Sequence, residues 1–155
     1  MNRRVLVAGL GNEYRSDDGA GPAVAAYVSG RMPTVDSKVI SEPLDLIGAW
    51  DDADLAVVAD ATRSGSPPGT VQLVDLGAGE DAASSAGPMS SHGMDLPRVL
   101  RLARAMGHAP HHVAVVGIEG ENFADGVGLS PAVALAVSEA GELVIRVIDE
   151  AASCA

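Results

Sequence analysis

Three short apolar runs set the limits on this fold: Val5–Ala8, Leu55–Ala59 and the stretch from His112 to Ile118. Each lacks the alternation of a strand with one wet face and is too short for a packed helix. They therefore read as strands buried on both faces, the kind found in parallel sheets covered by helices. Lys38-Val-Ile reads as a further strand. Thr70–Val74 alternates more, which suits an edge strand running antiparallel to the rest.

Helical patterns fill the intervals. The first begins near Asp18 or Gly21, places Pro22 in its first turn, carries Val24, Ala25 and Val28, and should stop at Ser29-Gly30. Leu44, Ile47 and Trp50 recur at threefold spacing in Pro43–Trp50. Asp95–Met106 has apolar residues at 96, 99, 100, 102 and 103 and ends at Gly107. Ser130-Pro131 opens a last helix with Val133, Val137, Ala140, Val144 and Val147 on one stripe. Gly77–Ser91, rich in Ala, Gly and Ser, reads as a mobile loop. The expectation is one α/β domain spanning residues 1–155. It is a three-layer α/β/α sandwich around a mostly parallel, roughly five-stranded sheet with one antiparallel edge strand.

With 47% apolar residues and only four aromatics (Tyr14, Tyr27, Trp50, Phe123), the core must be aliphatic. Acidic side chains outnumber basic ones 21 to 10, a formal charge of −11. That balance argues against nucleic acid and anionic membrane partners, both of which need a positive field. No apolar run approaches the ~20 residues of a membrane span, and the opening residues do not form a signal peptide. A cytoplasmic location is expected. Cys154 is the single cysteine, so any bound metal must be held by carboxylates and histidines.

In a parallel α/β sheet, ligands gather beyond the carboxyl ends of the strands. Those segments here are Gly9–Asp18, Asp60–Arg63 and Glu119–Glu121, with the loop around His92 a fourth. Gly9-x-Gly11 invites a dinucleotide fingerprint, but its third glycine would fall on Tyr14. Asp17 and Asp18 would also repel a pyrophosphate, and no Gly-Lys-Ser/Thr follows. The loop presents negative charge, so a cation suits it better. The competing role for Asp17 or Asp18 is a helix N-cap, for Asp60 a turn cap, and for His92 a solvated loop position. A loop carboxylate, Asp60 and His92 together make an O, O, N donor set with open positions, which suits Ni²⁺, Zn²⁺ or Mn²⁺. His108, His111 and His112 read as structural or surface residues, the last two pointing to opposite faces of a strand. Arg98, Arg101 and Arg104 read as a solvated helix face. Glu119 and Glu121 read as ordinary solvated carboxylates or, failing that, as substrate contacts.

Gly9-Leu-Gly-Asn-Glu-Tyr-Arg-Ser-Asp-Asp-Gly-Ala-Gly21 resembles the N-terminal signature of the hydrogenase maturation proteases. The resemblance continues through Asp60-Ala61, Ser91-His92-Gly93, Val116-Gly-Ile-Glu and Gly126-Val-Gly-Leu-Ser-Pro131, in order along nearly the whole chain. It implies an endopeptidase that removes a C-terminal extension from the large-subunit precursor of a [NiFe]-hydrogenase after nickel insertion. The acidic metal contacts of the family fall on Asp18 and Asp60, and its histidine falls on His92. The nickel would arrive with the precursor, held by the precursor's own cysteines, and no organic cofactor is implied. Asp18 or Asp60 would then activate a water for attack on the scissile carbonyl. Three other readings stand beside this one: a stand-alone metal-dependent hydrolase on the same three residues, a nickel-binding chaperone that does not cut, and a flavodoxin-like anion-binding domain.

Overall fold

The computed structural model describes residues 3–77 and 96–153. Five strands, β1 (Val5–Leu10), β2 (Asp36–Ile40), β3 (Leu55–Thr62), β4 (Val71–Gly77) and β5 (His112–Glu119), form one sheet in the order β2-β1-β3-β5-β4. β2, β1, β3 and β5 are parallel, and β4 runs antiparallel to β5 at the edge. The helices are α1 (Ala20–Arg31), α2 (Leu46–Trp50), α3 (Leu96–Met106) and α4 (Pro131–Ser153).

Alternate residues of each central strand feed two separate cores. Leu6, Ala8, Leu10, Ala56 and Val58 face α2 and α3, joining Trp50 and Leu100. Val7, Leu55, Val57 and Ala59 face α1 and α4, joining Val24, Val28 and Val144. β3 is buried along its whole length, as a central parallel strand between two helical layers must be. The three-layer sandwich is as the sequence pattern implies.

The chain goes from β1 outward to β2, then returns across β1 to place β3 on its other side. The crevice between the carboxyl ends of β1 and β3 is therefore the topological switch point of the sheet. Two glycines let α1 lie directly on it. A Cβ at Gly21 would sit 2.3 Å from the Leu10 carbonyl oxygen and 2.5 Å from that of Ala59. At Gly11, φ is +141°, and a Cβ there would strike the Asp18 carbonyl oxygen at 2.0 Å. Only glycine permits this turn.

Several boundaries differ from the sequence pattern. α1 continues through Gly30 to Arg31, because packing on α4 and β1 outweighs a single glycine's weak helix preference. β3 does not stop at Asp60 but runs on to Thr62, pairing Asp60 with Gly117 and Thr62 with Glu119 of β5. Hydrogen bonding to a neighbouring strand carries the ladder past a charge at which a hydrophobic pattern breaks. The Ala/Gly/Ser-rich stretch expected to be a loop lies outside the described residues, apart from Gly77 at the end of β4.

Candidate functional site

Leu10 leads through the Gly11 turn into a 3-10 turn, Ser16–Gly19, that runs straight into α1. This turn packs against β3. Asp18 precedes Gly21 by three residues and Asp60 follows Ala59 directly, so the Gly21–Ala59 approach places both residues at the carboxyl ends of β1 and β3, beside the switch point. Both are 2% exposed. Asp18 Oδ2 accepts the Asn12 N–H at 2.9 Å, which ties the carboxylate back to its own loop. Asp60 lies on the α2–α3 side of β3, in line with Ala56 and Val58. His92 lies outside the described residues. α3, the first described element after it, packs on the same side of the sheet as Asp60.

Neither aspartate caps a helix: the 3-10 turn and α1 both begin without a side-chain cap hydrogen bond. The expected N-cap is absent because α1 continues a preceding helical turn, where the aspartates already sit inside helical backbone. Asp17 does a different structural job. It is fully buried and reaches across to the segment before α4. Its Oδ1 accepts the Ser130 N–H at 2.7 Å, and its Oδ2 accepts the Glu121 N–H, the Asn122 N–H and the Ser130 hydroxyl at 2.8–2.9 Å. Burial alone would raise its pKa, but these donors, three of them backbone amides, outweigh it and hold the carboxyl below the ordinary value of 3.8. Ser130 still stands at the start of α4, its carbonyl accepting the Ala134 N–H at 2.9 Å, while its hydroxyl serves Asp17.

The two loops are stitched further by backbone. Ser16 N–H donates to the Gly126 carbonyl and Gly126 N–H to the Tyr14 carbonyl, both at 2.9 Å. Ser16 holds a left-handed φ of 53°, secured by its hydroxyl donating to the Ala124 carbonyl at 2.8 Å. A non-glycine residue in that conformation stores strain that its surroundings must hold in place.

Glu119 is not a solvated carboxylate. It is 5% exposed and accepts the Ser64 hydroxyl at 2.6 Å, the Ser64 N–H at 2.9 Å and the Thr62 hydroxyl at 3.2 Å, pinning the loop after β3. Glu121, in contrast, is exposed. The sequence offered one clue to Glu119: like Asp60, it closes an otherwise apolar strand. Beside it, an open cleft of about 470 Å³ is lined by Arg63, Gly65, Glu119, Gly120, Glu121, Asn122 and Phe123.

The remaining polar candidates lie elsewhere. His108 pairs with Asp51 at 3.0 Å and His112 with Asp75 at 2.8 Å, both away from the crevice. Arg98 and Arg101 are exposed as expected, but Arg104 is half-buried because it falls on the turn that packs inward. Among the described residues, no cluster of three or more His, Cys, Asp or Glu side chains is placed to hold a metal by itself. Among the described residues, no helix is long and apolar enough to cross a membrane.

A family model described as hydrogenase maturation protease (HycI) matches residues 41–147. The Hydrogenase 2 maturation protease of Escherichia coli is 28% identical over 152 residues, an alignment covering 95% of this chain and 92% of that protein. The hydrogenase expression/formation protein HupD of Thiocapsa roseopersicina is 30% identical, covering 92% of this chain and 66% of its own length. Among solved structures, the E. coli hydrogenase maturating endopeptidase HybD superposes with a TM-score of 0.78 at 25% identity, covering 96% of this chain and 93% of that one. The [NiFe] hydrogenase maturation protease HybD from Thermococcus kodakarensis superposes with a TM-score of 0.73 at 26% identity, covering 93% and 98%.

Proposed function

The chain belongs to the hydrogenase maturation protease family, and we propose that it is the member that removes a C-terminal extension from a nickel-loaded [NiFe]-hydrogenase large-subunit precursor in the cytoplasm. It is a peptidase, and hydrogenase large-subunit precursors are what it processes. Relatives named as maturation proteases do not favour the stand-alone hydrolase or the chaperone that does not cut. The observation that carries the finer reading is the pair of buried carboxylates, Asp18 and Asp60, at the β1–β3 switch point.

Two carboxylates, completed by the imidazole of His92, suit a borderline divalent ion and leave coordination positions for ligands from elsewhere. In this reading those ligands are the precursor's own cysteine thiolates, so the nickel is part of the substrate, and the lone Cys154 of this chain takes no share. Contact with such an ion positions the precursor's scissile bond over the crevice. Asp18 or Asp60 then orients a water and takes its proton as the water attacks the carbonyl carbon, an aspartyl-type role. The amine of the extension leaves with a proton returned from the same carboxyl.

The test is to mix the protein with precursor, with and without nickel loaded, and to weigh the products. Loss of a C-terminal peptide only from the nickel-loaded sample is the expected result. Binding without a change in mass would overturn the reading.

A further inference from the structure

One cation at the site has no counterpart in the mechanism above. Arg63 follows the last residue of β3, three positions after Asp60. Its guanidinium lies 4.1 Å from the centroid of the Phe123 ring. The edge of the ring in turn lies against Gly120, where a Cβ would meet the ring Cζ at 2.4 Å and Asp17 Cβ at 3.2 Å. Both sides of this stack are built on pinned backbone. Glu119 holds Ser64, the next residue after Arg63, and Asp17 holds the amides of Glu121 and Asn122, just before Phe123.

Stacking occupies the face of a guanidinium and leaves its N–H edge available. No ion pair or hydrogen bond to Arg63 is found among the described residues, although the chain carries twice as many acids as bases. Of the two carboxylates in its cleft, Glu119 is taken up by Thr62 and Ser64, and Glu121 lies beyond ion-pair distance. An arginine stacked on a ring, with donors open toward a cleft, matches a carboxylate with two parallel N–H···O bonds. We infer that Arg63 is a specificity-determining residue that binds a carboxylate of the precursor segment seated beside the crevice. This inference rests on the endopeptidase reading above. Two groups supply that chemistry: an acidic side chain in the extension, or the free carboxylate at the precursor's C-terminus.

The experiment compares wild type with Arg63→Gln and Arg63→Lys, measuring precursor binding and processing on nickel-loaded precursor. Three precursors are used: native, one with the acidic side chains of the extension changed to amides, and one with its terminal carboxylate amidated. For Arg63→Gln, KM and Kd on native precursor should rise about 10-fold, with kcat nearly unchanged and thermal stability kept. Arg63→Lys should recover part of the loss, and the wild-type KM should rise with ionic strength. On whichever precursor lacks the contacted carboxylate, wild type and Arg63→Gln should bind alike, which identifies the source. Equal KM and Kd for wild type and Arg63→Gln on native precursor would overturn the inference. So would a difference that persists on both neutralised precursors, because Arg63 would then act through the protein's own structure. If wild type binds but does not cut, the endopeptidase reading fails while the binding comparison still decides the role of Arg63.

Discussion

The two ends of the sheet carry different kinds of chemistry. At the amino end, a cleft of about 360 Å³ between the β4–β5 edge and α4 is lined by Leu73, His112, Ala114, Val147 and the exposed Asp75. Its ion pair, His112–Asp75, stands in solvent, and Arg3 reaches over to the Ala151 carbonyl nearby. At the carboxyl end, Asp17, Asp18, Asp60 and Glu119 are all buried. Parallel strands and their crossover helices explain the contrast: strand ends, helix starts and backbone N–H groups all converge on the carboxyl side. Buried charge is tolerable only where donors are that dense. The Asp75 carboxylate at the amino end stays wet and contributes little.

Substitutions should reproduce this asymmetry. The largest effect is expected from Asp60→Asn, with Asp18→Asn close behind. Each should cut precursor processing by two orders of magnitude or more while the protein stays folded, consistent with loss of a general base; mass analysis of the product against time measures it. Full activity in either variant would remove that residue from the chemistry. Next is Asp17→Ala, which strands three backbone donors and a hydroxyl. It should destabilise by roughly 3–5 kcal/mol in denaturant titration, as expected when several buried donors are left unpaired.

Gly21→Ala comes third. Its methyl has backbone oxygens on two sides and no flexible side chain to push aside, so a cost of about 1–3 kcal/mol and a weakened site are expected. The smallest effect belongs to the amino end. Asp75→Asn should change stability by well under 1 kcal/mol, because its ion pair is solvent-exposed, and should leave processing intact. A large activity loss from Asp75→Asn would break the contrast between the two ends.

Acid provides a further handle on Asp17. Its folded pKa lies below 3.8, so in the unfolded chain the group takes up a proton at higher pH than in the folded one. Its stabilisation is therefore complete above pH 3.8 and is lost as pH falls through the lower folded value. Stability curves of wild type and Asp17→Asn measured from pH 6 downward should converge in that acid window. Curves that stay parallel would show that Asp17 is not the group responsible.

Much of the fold was legible because its strands are buried on both faces and leave unbroken apolar runs that helices cannot imitate at that length. The antiparallel edge strand was legible for the opposite reason: one wetter face restores alternation. The positions of Asp18 and Asp60 also followed from a topological rule that needs only the order of elements. Roles within the loops were less accessible. Asp17 and Asp18 are neighbours of identical chemistry, and nothing local separates an anchor from a site residue. Asp17 is defined by amides 104 and 105 residues away along the chain, and Glu119 by a serine 55 residues away. The N-cap expectation failed because a 3-10 turn, which the hydrophobic pattern does not reveal, already precedes α1.

By itself, then, the sequence determined the layers, the antiparallel edge strand and the family, because periodicity and glycine placement are local properties. The tertiary structure decided which buried carboxylates hold distant loops together, and that Arg63 lies stacked on Phe123 near them. Those distinctions depend on where distant backbone amides and rings arrive, and only the closed fold brings them there.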